Sequence, residues 1–256
     1  MVGRRRAIGT TARANADASA KADEEAGGEG AAADRVPGGL PSEDVAVGDL
    51  SGRMASCRIC RDAPARLPAL PHEPRPIFVL SPRARIVIAS QAPGLRAHES
   101  GVPFNDPSGN RLRDWLGVDR PTFYDPDNFA IVPMGFCFPG YDRHGGDLPP
   151  RRECAPAWRQ EALAALPAVT LTLLIGSHAQ AWHAAHDAQD ARPARRSMTE
   201  TVANWREIFN PRAERILLPL PHPSWRNTSW LKKNPWFEED LLPVLRKAVD
   251  SRISRK

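Results

Sequence analysis

The sequence has no long apolar run, and none approaches the roughly 18–20 consecutive apolar residues that a membrane-spanning helix needs. An integral membrane protein is therefore excluded. Cysteine is scarce, with four residues in 256, and a chain of this length can bury a core without disulfides. Arg4, Arg5 and Arg6 are followed by no apolar segment, so no export signal is predicted. We expect a cytoplasmic protein with reduced cysteines.

The first fifty residues contain no aromatic residue and are dominated by Ala, Gly, Asp and Glu. Such a segment cannot bury enough apolar surface to offset its ordering entropy. We therefore predict an acidic disordered tail over residues 1–53, with Met54 as a candidate translation start. Residues 1–50 carry a net charge of −3, which leaves +8 for the remainder of a chain whose net charge is +5. A basic folded part favours nucleic acid as its partner, although a basic surface without such a partner gives the same count.

Residues 54–256 show no repeat and no second linker, and we interpret them as one domain that is a monomer. Buried strands are predicted at Ile86–Ala89, Ala130–Val132, Leu171–Ile175 and Ile216–Leu218. Helices are predicted at Arg111–Leu116, Ala155–Leu166, Ala179–Ala185, Met198–Phe209 and Pro235–Val249. Apolar strands that alternate with helices indicate an α/β fold with a parallel sheet covered on both faces.

Ligands of such sheets bind at the carboxyl ends of the strands, and each predicted strand is followed there by a polar or Pro/Gly-rich loop. These loops are residues 90–94, 133–137, 176–178 and 221–227. Four loops of this kind at one edge of the sheet predict a binding site.

The four cysteines form a second candidate site. Cys57 and Cys60 make a C-x-x-C pair, and Cys137 and Cys154 flank a loop after the second strand. Four thiolates suit either tetrahedral zinc or an iron–sulfur cluster, and their spacing does not decide between the two. Four unrelated buried cysteines are the remaining alternative.

Together these motifs resemble the uracil-DNA glycosylase superfamily, and most closely its iron–sulfur branch, known as family four. The branch has G-E-A-P-G after its first strand, where this chain has Ser90-Gln91-Ala92-Pro93-Gly94, followed by Gly101, Pro103 and Phe104 at matching distance. The second motif, H-P-S, matches His222-Pro223-Ser224. The order and spacing of the cysteines match as well. The resemblance covers the chain from about Ser56 to the C-terminal helix.

The resemblance implies a three-layer α/β/α sandwich around a four-stranded parallel sheet. It also implies a DNA glycosylase that hydrolyses the N-glycosidic bond of a flipped, damaged base in base excision repair. By the same resemblance, Cys57, Cys60, Cys137 and Cys154 hold a 4Fe–4S cluster, with structural zinc as the alternative.

The predicted catalytic residues are His222, as donor to a carbonyl oxygen of the departing base, Gln91, through nearby backbone N–H groups, and Asp106. Phe104 is the candidate platform on which the flipped base stacks, with an ordinary core phenylalanine as the alternative. The other predicted substrate-binding residues are Ala92, Gly94 and Asn105. The predicted DNA-binding residues are Ser177, Ser224, Trp225, Arg226 and Asn227.

Three positions depart from the branch. Ser90 replaces a glycine, Gln91 replaces a glutamate, and Pro133 replaces the asparagine that reads the edge of uracil. Proline has no N–H and no side-chain amide and cannot reproduce that recognition, so selectivity for uracil is not expected and the excised base is expected to be uracil or another deaminated base. Because the first motif lacks a carboxylate, the nearby replacements are His98, Glu99, Asn105 and Asp106. We favour Asp106 for the orienting of water or the stabilisation of the sugar cation.

Two other functions fit the same residues. The first is a non-catalytic DNA- or nucleotide-binding member of the superfamily that has kept the pocket. The second is a zinc-stabilised module whose basic surface binds RNA.

Overall fold

The computed structural model describes residues 43–186 and 197–253. At its centre is a sheet of four parallel strands in the order β2-β1-β3-β4. The strands are β1 (Ile86–Ala89), β2 (Phe129–Ile131), β3 (Leu171–Ile175) and β4 (Ile216–Leu220). The predicted bounds of β1 and β3 are confirmed, whereas β2 lies one residue earlier than predicted and β4 ends two residues later.

The strands begin in register. Ile86 is paired with both Phe129 and Leu171, and Leu171 is paired with Ile216. Every residue of the four strands is buried, as expected of a parallel sheet covered on both faces. The loops that leave the carboxyl ends of the strands therefore meet at one edge of the sheet.

Helices surround this sheet. They are α1 (Glu43–Ala55), α2 (Ile59–Asp62), α3 (Leu95–Ser100), α4 (Pro107–Leu116), α5 (Arg120–Tyr124), α6 (Gln160–Ala164), α7 (Gly176–His186), α8 (Met198–Ala203), α9 (Trp205–Ile208), α10 (Thr228–Lys233) and α11 (Leu242–Asp250). Short turns lead directly into three of them: the π-helical turns Ala155–Arg159 and Phe237–Leu241 precede α6 and α11, and the 3₁₀ turn Trp225–Asn227 precedes α10.

The sheet separates two apolar cores. Ile86 and Ile88 pack on one face with side chains of α4, α8, α9 and α11. Val87 and Ala89 face the opposite side and pack with side chains of α1, α6 and α7. Alternate residues of one strand thus enter different cores, as strand geometry requires. The predicted α/β/α sandwich is confirmed.

The predicted boundary of the acidic tail is wrong at its C-terminal end. Helix α1 begins at Glu43 and buries Val47, Leu50 and Met54. Their spacing of three and four residues brings these side chains to one helix face, and that face packs on the sheet core. Residues 43–53 therefore belong to the folded unit, and the prediction for residues 1–42 lies outside the described residues.

Sequence periodicity also misplaced or missed several helices. The predicted helix Met198–Phe209 is two helices, because the Asn204 side-chain amide donates to the Glu200 carbonyl at 2.9 Å where α8 ends. An amide that bonds to the backbone in this way competes with helix continuation. Helices α2, α3, α5 and α10 are no longer than six residues, too short for an apolar period to appear.

Candidate active site

The loops after β1 and β2 remain paired beyond the strands. Met134 N–H donates to the Ser90 carbonyl at 2.8 Å, and Gly135 N–H donates to the Gln91 carbonyl at 2.9 Å. Pro133 is buried in the same stretch. The predicted residues of the first loop are half-buried: Gln91, Ala92 and Gly94. The two loops therefore form one wall of the site. The backbone N–H groups of residues 134 and 135 donate hydrogen bonds within this wall and are not free to bind a ligand.

Phe104 has a left-handed backbone conformation, with φ of 55°. This region is uncommon for a non-glycine residue and persists only where the surroundings impose it. Here the Tyr124 hydroxyl donates to the Pro103 carbonyl at 2.8 Å, and a Cβ on Gly109 would lie 1.7 Å from the Phe104 oxygen. The half-buried Phe104 ring meets Phe123 edge-on, with ring centroids 6.1 Å apart. The packing of α4 and α5 thus fixes the position of this ring.

Asn105 and Asp106 both make hydrogen bonds that order this loop. The Asp106 carboxylate accepts the Gly109 N–H at 2.8 Å and caps α4. The Asn105 side-chain oxygen accepts from Arg120 at 3.1 Å. Asp106 is therefore held at the start of a helix, and this cap gives it a structural role beside the predicted catalytic one.

His222 lies directly after β4, half-buried. Burial lowers the pKa of its imidazole to about 4, and the nearby Asp106 carboxylate opposes that shift. The ring has no hydrogen-bond partner among the described residues, while the backbone carbonyl accepts from the Asn227 amide at 2.7 Å. His222 is therefore neutral at pH 7, with one ring N–H to donate, and Asp106 lies close enough to influence its charge.

The rest of this loop presents an exposed rim. The Trp225 side chain is 75% exposed, and the Arg226 guanidinium lies 5.7 Å from the centre of its ring. The Ser224 hydroxyl accepts the Arg226 N–H at 3.1 Å and caps the 3₁₀ turn. Arg111 donates to the Ser224 carbonyl at 2.9 Å and ties the loop to α4. Ser177, predicted to bind phosphate, is exposed in the first turn of α7.

Sequence reasoning missed the hairpin of residues 141–147, in which an antiparallel bridge pairs Tyr141 with Asp147. Asp147 belongs to the site because a Cβ on Gly94 would lie 3.8 Å from its Oδ2. Desolvation by its neighbours raises the pKa of its carboxyl. The pair Gly145-Gly146 is a turn signal that predicts a hairpin here. No sequence signal predicts the approach to Gly94, because more than fifty residues separate the two positions.

All four cysteines line one cavity, and none is in a disulfide. The Trp158 indole N–H donates to Cys57 Sγ at 3.2 Å, and the Phe136 N–H donates to Cys154 Sγ at 3.3 Å. Burial raises the pKa of the thiols of Cys60, Cys137 and Cys154, in the case of Cys137 to about 12. Within the described ranges, no group of three or more His, Cys, Asp or Glu side chains is arranged to hold a metal ion.

A buried cation lies beside this cavity. The Arg159 side chain is fully buried and donates to the Val132 carbonyl at 2.8 Å. Burial lowers its pKa to about 9, and the neighbouring Cys154 opposes that shift. No carboxylate pairs with it among residues 43–186 and 197–253. A buried charge is costly unless it is paired, so negative charge on the cysteine sulfurs would stabilise Arg159.

The comparison with known proteins identifies the family. A protein-family model described as "Uracil DNA glycosylase superfamily" matches residues 77–246, about two thirds of the chain. The matched region contains all four strands and their carboxyl-end loops, whereas Cys57 and Cys60 lie before it. Among the described helices, none is long and apolar enough to span a membrane. The chain belongs to the uracil DNA glycosylase superfamily, and this membership indicates DNA glycosylase activity in general, with DNA as the substrate.

Proposed function

We propose that this protein removes a deaminated base from DNA by hydrolysing its N-glycosidic bond. The observation that carries the proposal is the position of His222 at the carboxyl edge of the sheet, with a ring that has no hydrogen-bond partner among the described residues. Burial lowers the pKa of this ring, which favours its neutral form. A donor of this kind stabilises the negative charge that develops on a departing base. A neutral ring also avoids the desolvation cost of burying a charged one.

The base enters the site only after it has left the DNA stack. The Phe104 ring, fixed by its backbone and by Phe123, supplies a flat apolar surface for it. The exposed Trp225 indole fills the space vacated in the duplex, as inserted apolar side chains do elsewhere. Arg226 and the exposed Ser177 are suited to contact phosphates.

The wall formed by the loops after β1 and β2 offers no amide or free N–H group at 133–135 that could read the edge of one particular base. Pro133 has no amide, and the N–H groups of Met134 and Gly135 are already bonded to Ser90 and Gln91. Recognition then depends on stacking against Phe104 and on the donor of His222. Deaminated bases share the required features, a flat ring and a carbonyl oxygen where an amino group stood.

We also propose that the cysteine cavity holds a 4Fe–4S cluster, the assignment implied by the resemblance to family four. The fit rests on four convergent thiols, two N–H donors to sulfur and the unpaired charge of Arg159. Structural zinc is the alternative, because four thiolates suit either group. A cluster bound here would stabilise the fold by connecting α2 to the loop after β2.

The proposed activity is tested with oligonucleotides that each carry a single uracil, hypoxanthine or xanthine. The full chain is incubated in excess over DNA, abasic sites are cleaved with alkali, and an undamaged strand is the control. We expect cleavage at one or more lesions and none in the control. Absence of cleavage at every lesion, with retained DNA binding by fluorescence anisotropy, would favour the non-catalytic alternative.

A further inference from the structure

The proposed reaction needs a carboxylate that the first motif does not provide. Hydrolysis requires a water molecule that loses a proton as it attacks the sugar, and a base must lie within hydrogen-bond reach of it. The loop 90–94 contains no acidic residue. The Asp106 carboxylate is held as the cap of α4 by the Gly109 N–H. The base that accepts the proton of water would then be another carboxylate at this edge of the sheet.

Asp147 is that carboxylate: it faces the loop after β1, and the loop after β4 contacts the hairpin that carries it. Its Oδ2 lies 3.8 Å from where a Cβ on Gly94 would stand, so it faces the backbone of the first-motif loop. On the other side, the Arg226 guanidinium covers the hairpin: it donates to the Gly145 carbonyl at 3.4 Å, and a Cβ on Gly146 would lie 3.0 Å from it. The loops after β1 and β4 therefore both contact the hairpin that carries Asp147.

The hairpin holds Asp147 in a defined position. The Asp142 N–H donates to the Gly146 carbonyl at 2.7 Å, and the Leu148 N–H donates to the Gly140 carbonyl at 2.9 Å. The Asp142 carboxylate in turn accepts the N–H groups of His144 and Gly146, each at 2.8 Å. Asp142 thus orders the turn, while Asp147, on the opposite strand of the hairpin, is turned towards Gly94.

We propose that Asp147 is the catalytic base that activates water in the reaction proposed above, on which this inference rests. The water oxygen forms a bond to C1′ of the deoxyribose as its proton passes to Asp147. The glycosidic bond breaks, its electron pair leaves with the base nitrogen, and the ring N–H of His222 stabilises the negative charge that spreads to the carbonyl oxygen of the base. The base anion then takes up a proton from solvent and Asp147 releases its proton to solvent, so that the products are the free base and an abasic sugar.

The charges around Asp147 suit this role. Asp147 is exposed to solvent, and desolvation by its neighbours together with the carboxylates of Asp106 and Asp142 raises its pKa, whereas Arg226 opposes the shift. A raised pKa makes the carboxylate a stronger proton acceptor, and the efficiency of general bases follows this strength. Because only the ionised form accepts a proton, the rate of excision should fall as the pH drops through the pKa of Asp147.

The test compares Asp147→Asn with Glu239→Gln, which neutralises an exposed carboxylate in the turn before α11, outside the proposed site. Both are measured with the full chain in single-turnover excision on a lesion that the wild type accepts, from pH 4 to 8. We expect Asp147→Asn to lower the rate by about 10²–10⁴-fold and to abolish the acidic limb of the profile, with unchanged DNA affinity. Glu239→Gln should stay within a few-fold of the wild type. Asp147→Glu, which retains a carboxylate, should recover the acidic limb.

The outcomes separate this inference from the proposed function. If the wild type excises a lesion and Asp147→Asn does so at a similar rate, or keeps the acidic limb, Asp147 is not the base and the glycosylase function stands. If the wild type excises no lesion, the proposed function fails and the assignment of Asp147 fails with it. Melting temperatures equal to that of the wild type exclude misfolding of the variants.

Discussion

At the scale of single residues, Gly109 is where α4 passes closest to the loop that carries Phe104. A Cβ there would lie 1.7 Å from the Phe104 oxygen. We therefore expect Gly109→Ala to lower the free energy of unfolding by at least about 1–3 kcal/mol, the usual cost of overpacking. It should also slow excision, because the Phe104 ring would have to move. Urea denaturation measures the first effect.

The control for that change is Gly48→Ala in α1, where nothing lies within 4 Å of the added methyl group. Alanine is favoured over glycine inside a helix by about 1 kcal/mol, so this variant should be as stable as the wild type or slightly more so. Equal destabilisation by both changes would show that the close approach of Gly109 to Phe104 is not the cause of the lower stability.

His222 gives a prediction about pH. Its pKa is lowered to about 4 in the folded protein, against about 6.5 in an unfolded chain. Between these two pH values the unfolded state binds more protons than the folded state. The contribution of the neutral ring to the free energy of unfolding is therefore complete above pH 6.5 and is lost as the pH falls towards 4. The urea midpoint should therefore decline less steeply over this range in His222→Gln than in the wild type. Parallel declines would indicate an ordinary pKa for His222.

At the scale of elements, α1 is the largest correction to the sequence analysis. Leu50 is 3% exposed and packs in the sheet core, whereas Val45 on the same helix is 54% exposed. Leu50→Ala should cost about 2–5 kcal/mol of unfolding free energy, and Val45→Ala should stay within about 0.5 kcal/mol of the wild type. Thermal denaturation of the full chain distinguishes the two. A Leu50→Ala variant as stable as the wild type would mean that α1 does not pack on the core.

The cysteine cavity connects α2, the loop after β2 and the π-helical turn before α6. If it holds the proposed cluster, protein purified without air should be brown and contain four iron and four sulfide per chain. Cys154→Ser should lose colour and iron and melt at a lower temperature, because the ligands join distant segments. Ser56→Ala, next to Cys57 but without a thiol, should retain both. A colourless protein with one zinc per chain would overturn the cluster and leave the four-thiolate site.

At the scale of the whole molecule, the layers of the fold follow from local patterns in the sequence. The run Ile86–Ala89 is apolar throughout, and Leu171–Ile175 is apolar except for Thr172, so their extents are predictable. Sheet order and strand register depend on contacts between distant segments. The edge position of β4, which pairs only with β3 among the described strands, also explains why Pro219 is tolerated there.

The site was predictable only where it follows the strands directly. His222 and Gln91 each lie within two residues of a strand end, so the fold alone brings them to one edge. Asp147 reaches the same edge through a hairpin between Cys137 and Cys154, and no local pattern encodes its approach to Gly94. The left-handed backbone of Phe104 likewise depends on Gly109 and Tyr124, which come later in the chain.

The central claim is that His222 stabilises the base that leaves the DNA. Single-turnover excision by His222→Ala, on a lesion that the wild type accepts, tests it most directly, with the exposed His186→Ala as the matched control. We predict a rate about 10²–10³-fold below that of the wild type for His222→Ala, with unchanged DNA affinity and a normal rate for His186→Ala. A His222→Ala rate within twofold of the wild type would contradict the account.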